Sequence, residues 1–164
     1  MRKRIVLLLA AVAVAVLALL ASGQSKPLTA NAEGEWPAPQ GSWAMIVKPD
    51  IPPAPGVTEI LNLATFMPDG GWVSSDGYIT DSLAHGNWVR IGNRQFAVTA
   101  VGLSFGPSGH TEATFKVRET LGYTESGYEL TGSWILEVFD MAGKVVFTLK
   151  GTARAFHIDV EKMP

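Results

Sequence analysis

The chain has 164 residues, 47% of them hydrophobic and 17% charged, which is the make-up of one globular domain with an appendage. Its 13 basic residues fall to 10, against 15 acidic, once Arg2, Lys3 and Arg4 are set aside, so there is no cationic patch for phosphates and nucleic acid is excluded as a partner. The absence of cysteine excludes disulfides, thiol chemistry, thiolate metal sites and cysteine acylation, and leaves stability to a single core.

Arg2, Lys3 and Arg4 precede an unbroken apolar run of 17 residues, 5–21. That is the pattern of a secretory signal over residues 1–32, with small-residue cleavage sites near 32 (Ala30-Asn31-Ala32) and near 23 (Ala21-Ser22-Gly23). It predicts export, to the periplasm or beyond. The alternative is an uncleaved anchor, since 17 residues is the short limit for crossing a bilayer, and only then would the protein meet a membrane. Residues 33–40 read as a flexible linker in which Trp36 either packs outside or plugs one end of the domain, which occupies 41–160.

Residues 42–48 form a first strand, followed by a proline-dense crossing (Pro49, Pro52, Pro53, Pro55) that can be neither helix nor central strand. A second strand over 58–67 turns at Pro68-Asp69-Gly70-Gly71 into a third over 72–75. Residues 76–87 read as a loop, and a short strand over 88–91 turns at Gly92-Asn93-Arg94 into a long apolar one over 95–105. Residues 111–121 place Ala113, Phe115 and Val117 on one face and Thr114, Lys116 and Arg118 on the other. The last two strands fold back at Asp140-Met141-Ala142-Gly143-Lys144. In the first arm Leu130, Gly132, Trp134, Leu136 and Val138 alternate with Thr131, Ser133 and Glu137; in the second Phe147, Leu149, Gly151, Ala153 and Ala155 alternate with Thr148, Lys150, Thr152 and Arg154. This is period two, a strand with one buried face, and no segment sustains a helical period.

Turn signals every ten to fifteen residues predict an all-β fold, an eight-stranded antiparallel up-and-down barrel, in which closure removes the exposed edges that such apolar strands would otherwise present. Phe-x-x-x-Gly recurs at Phe66, Phe105 and Phe139, each at a strand end with glycine supplying positive φ. Gly-x-Trp recurs at Gly41, Gly86 and Gly132.

Gly41-Ser42-Trp43 on the first strand, the eight-strand meander and Arg154 on the last strand resemble the calycin group, the lipocalins and their relatives, where an early tryptophan packs near a late basic residue at the closed end of the barrel. The chain is also similar to small bacterial barrels of the lipocalin-like or allene-oxide-cyclase-like kind. The resemblance covers residues 41–158 and implies a secreted barrel that holds a small hydrophobic molecule. The sequence departs from it in two places: no helix can follow the last strand, and Arg154 lies on the polar register.

The remaining motifs carry little chemistry. Gly102-Leu103-Ser104-Phe105-Gly106 matches G-x-S-x-G, with Asp140 and His157 following in hydrolase order, but Ser104 ends an antiparallel strand running into Gly106-Pro107 and no helix follows. His85, His110 and His157 lack the spacing of a metal face, so no metal, cofactor or catalytic group is assigned. Glu119 continues the apolar set Ala113, Phe115, Val117 and points inward, where burial would raise its pKa, or else sits at the rim or pairs with Arg90 or Arg118. Asn62 falls likewise among Ile60, Ala64 and Phe66. An eight-stranded barrel is just wide enough to be filled or to hold one small ligand. The leading expectation is a barrel binding a small apolar molecule, with Trp88, Phe96, Phe115, Trp134, Phe147 and Leu149 as walls and Glu119, Asn62 or Arg90 as polar anchor. A filled barrel acting through its surface is the alternative, and a cofactor-free cyclase or isomerase using Glu119 as acid or base is the third.

Overall fold

The computed structural model describes residues 36–75 and 81–161. The basic start, the apolar run and both cleavage sites lie outside the described residues. Eight strands follow one another: β1 (Gly41–Pro49), β2 (Ile60–Phe66), β3 (Gly71–Ser75), β4 (Ala84–Arg90), β5 (Gln95–Phe105), β6 (Thr111–Tyr123), β7 (Glu129–Asp140) and β8 (Val145–His157). Each pairs antiparallel with the next, and β8 returns to β1 with Trp43 opposite His157 and Val47 opposite Ala153, closing an up-and-down barrel. Among the described residues there is no helix. The architecture is the predicted one, and its form is compatible with the calycin fold.

The turns follow from local chemistry. Gly70, Gly109 and Gly143, the last residues of the three Phe-x-x-x-Gly segments, have φ of 91°, 79° and 80°, where a β-carbon would be strained. At the last hairpin the Asp140 carboxylate accepts from the backbone N–H groups of Ala142 (3.0 Å) and Lys144 (2.9 Å), so one aspartate sets the bend.

Several strand bounds shift by one or two residues from the sequence reading, and two differences have a clear physical reason. Residues 84–87, expected in a loop, begin β4, because Ala84 and Gly86 extend the inward alternation of Trp88 and pair with β3 and β5. β6 runs on to Tyr123, whose backbone N–H donates to the Arg94 carbonyl at 3.0 Å.

The interior is divided along the barrel axis. One end is filled by Trp43, Phe66, Phe96, Leu121 and Leu130, each at most 1% exposed. Aromatic rings run through it, edge to face from Phe66 to Trp88 (6.1 Å), Trp88 to Phe96 (5.9 Å) and Phe96 to Tyr123 (5.7 Å), then tilted from Tyr123 to Trp43 (6.2 Å). Residues 36–40 cross this end, with Trp36 stacked on Tyr123 at 5.3 Å and Pro39 accepting from Trp43 Nε1 at 2.9 Å. The Arg94 guanidinium lies over the Trp36 ring at 4.4 Å.

The Trp43–Arg154 contact of the calycin pattern does not form. β8 keeps its register, so Ala153 and Ala155 face inward while Arg154 faces out and pairs with Glu129 at 2.8 Å. His157, the next inward residue, meets Trp43 instead at 5.1 Å and bonds Asp159 at 2.7 Å. Register shifts occur between Ser104 and Phe105 and between Val138 and Phe139, not near Gly151.

Candidate functional site

Beyond the aromatic plug the barrel is hollow. A cavity of about 330 Å³ opens at the other end, toward the proline-dense crossing and Asp81. Its walls are the inward residues of successive strands: Val47 on β1; Ile60 and Asn62 on β2; Trp72 and Ser74 on β3; Ala84 on β4. Phe115, Val117 and Glu119 come from β6, Trp134, Leu136 and Val138 from β7, and Phe147 and Leu149 from β8, while Pro53, Ala54, Asp81 and Ser82 form the mouth. β5 contributes no side chain, and the local reason is Gly102: a β-carbon there would stand 2.2 Å from Phe115 Cζ, so the missing side chain is what lets the Phe115 ring lie across β5.

Glu119 is the one ionisable group deep in this apolar lining. It lies in register between Val98 and Trp134, is 6% exposed, and its Oε2 makes no hydrogen bond. Burial without a compensating charge penalises the carboxylate and pushes its pKa up to about 7. Neither expected partner reaches it: Arg118 faces out to Glu137 at 2.7 Å, and Arg90 is bound elsewhere. Asn62 Oδ1 and Trp72 Nε1 also make no hydrogen bond, so three residues of one cavity each carry an unpartnered polar atom. Trp134 differs, since its Nε1 donates to the Thr152 carbonyl at 3.0 Å. At the mouth, Ser104 donates to the Asp81 carboxylate.

The nine residues singled out from sequence therefore divide between the two ends. Asn62, Phe115, Glu119, Trp134 and Phe147 line the cavity together, as does Leu149, with Phe147 half exposed at the mouth. Trp88, Arg90 and Phe96 belong to the filled end. There Arg90 donates to the Trp36 and Asn93 carbonyls, each at 2.7 Å, and lies over the Phe96 ring at 5.0 Å. Trp88 Nε1 donates to the Met67 carbonyl at 2.9 Å. The hydrolase-like order has no spatial counterpart, because Ser104 is at the open end and His157 at the filled one. Among the described residues no three His, Asp or Glu side chains gather as a metal site.

Sequence reasoning passed over Trp72, Ser74 and Asp81. Trp72 was discoverable: it pairs with Phe66 directly across the Pro68 to Gly71 turn, so an inward Phe66 implies an inward Trp72. Asp81 sits in an irregular segment and carries no periodic signal.

No protein-family model matches the chain, and comparison with curated proteins and with solved structures finds no match.

Proposed function

We propose that the protein is a binding barrel whose open half takes up one small, predominantly apolar molecule. The observation that carries this reading is the void itself: a 330 Å³ space walled by Phe115, Val117, Leu136 and Leu149, above a densely filled lower half. At ~30 Å³ per water-sized unit, it suits a ligand of about ten non-hydrogen atoms. Apolar cavities of this kind gain by exchanging poorly bonded water for apolar surface. The lipocalin-like resemblance supports the same function, and the basic and apolar N-terminus supports an exported location for it. A surface module with a filled interior has no use for this void.

Calorimetric titration of the full chain with naphthalene tests the reading. Wild-type protein is expected to bind one equivalent, and Leu149→Trp, which places an indole in the cavity, to remain folded and bind at least tenfold more weakly. Absence of binding to the wild type, or equal binding to both proteins, would overturn it.

An acid–base role for Glu119 in a cyclisation or isomerisation is a second reading, favoured by one observation: a carboxyl with a pKa near 7 and an unpartnered oxygen in an apolar site. Turnover of a cyclisable substrate that disappears in Glu119→Gln would support it, and unchanged turnover would remove the residue from that role.

A further inference from the structure

The polar groups of the cavity restrict which apolar molecule it can hold. Glu119, deep in the wall, and Asp81, at the mouth, are the two ionisable side chains among the described lining residues, and both are acidic. The nearby cations turn elsewhere. Arg118 pairs with Glu137 and Lys150 with Asp50 on the outer surface, while Arg90 and Arg94 are engaged by backbone carbonyls and aromatic rings at the filled end. An organic anion would therefore enter a site that offers a like charge and no cation to offset its desolvation.

The unpartnered atoms specify the complementary group. Trp72 Nε1–H can only donate, Asn62 Oδ1 can only accept, and a protonated Glu119 carboxyl can donate through the oxygen that lacks a partner. A ligand hydroxyl, with two lone pairs and one O–H, can serve a donor or an acceptor among them. These atoms are covered by the wall, and the terminal torsions of Asn62 and Glu119 are broad and roughly two-fold, so both can turn toward the void. A ketone would leave Asn62 without a donor. An ammonium group would leave Trp72 without an acceptor and would require Glu119 to ionise among Val98, Val117 and Trp134.

We infer that the open half of the barrel selects neutral apolar molecules bearing a hydroxyl group, anchored by Glu119 or Asn62, and rejects organic anions of the same size. This rests on the binding-barrel reading above.

Competition against bound naphthalene by 1-decanol, decanoate and decylamine, with the full chain at pH 6 and pH 8, separates the two claims. Decanol is expected to bind at least tenfold more tightly than decanoate at both pH values, and at pH 6, where Glu119 keeps its proton, more tightly than decylamine. Glu119→Gln keeps a donor and an acceptor, and is expected to hold decanol within about threefold while narrowing the discrimination against decanoate. Glu119→Leu, its fold checked by circular dichroism, is expected to lose the preference for decanol over decanoate. If naphthalene binds and decanoate at either pH, or decylamine at pH 6, equals or exceeds decanol, the selectivity inference fails and the binding reading stands. Tighter decylamine would identify a cation site built on ionised Glu119. If naphthalene itself does not bind, the binding reading fails and the selectivity inference falls with it.

Discussion

Glu119 is held in the wall of an apolar cavity, 6% exposed, where water cannot solvate its charge. Its pKa of about 7, against an ordinary 4.5, means that the folded protein holds a proton that the unfolded chain releases between those values. The associated stability is fully present below pH 4.5 and is lost as pH rises through 7, reaching about 3 kcal/mol in all. Urea denaturation of wild type and Glu119→Gln across pH 4 to 9 checks this. The stability difference between them is expected to move by about 3 kcal/mol in the variant's favour as pH rises. A constant difference would show that the carboxyl is solvated. Alternation on β6 made the inward placement legible, because Phe115, Val117 and Glu119 step along one face. The missing partner was not legible, since it depends on Arg118 and Arg90 being engaged elsewhere.

At the scale of the strands, curvature depends on close backbone approach. Gly132 on β7 sits against β6 so tightly that a β-carbon would stand 1.8 Å from the Thr120 carbonyl oxygen, and at Gly151 on β8 one would stand 2.0 Å from the Lys48 carbonyl oxygen. The small inward residues thus have two physical uses. Some leave volume, whereas these two let coiled strands pass, and the sequence does not distinguish the cases. Gly132→Ala is expected to cost about 1–3 kcal/mol or more through backbone displacement at β6, measured as a lower urea midpoint. An unchanged midpoint would show that the sheet can relax freely there. The strand hairpins themselves were legible, because Asp140 and the positive-φ glycines give the chain its turns locally.

For the molecule as a whole, period two and turn spacing are enough to reach a closed eight-stranded barrel, because each strand has one apolar face and closure is the arrangement that buries all eight. They do not say which end is filled. Strands in a barrel tilt and stagger, so the height of an inward residue depends on register with both neighbours. Trp88 and Phe96 are as aromatic and as inward as Phe115 and Trp134, yet the first pair falls in the plug and the second around the void. Arg90 is drawn to the plug by the carbonyl of Trp36, 54 positions away, a contact with no local signature. What emerges is a barrel with a filled aromatic base and a hollow, acid-bearing upper half.

That division is tested most directly by a crystal structure determined under xenon pressure, since an apolar cavity with room for it takes up xenon and a filled interior does not. The predicted result is a xenon peak among Phe115, Val117, Leu136 and Leu149, with none in the plug around Trp43, Phe66 and Phe96. Side chains occupying the upper half, with no xenon there, would contradict it.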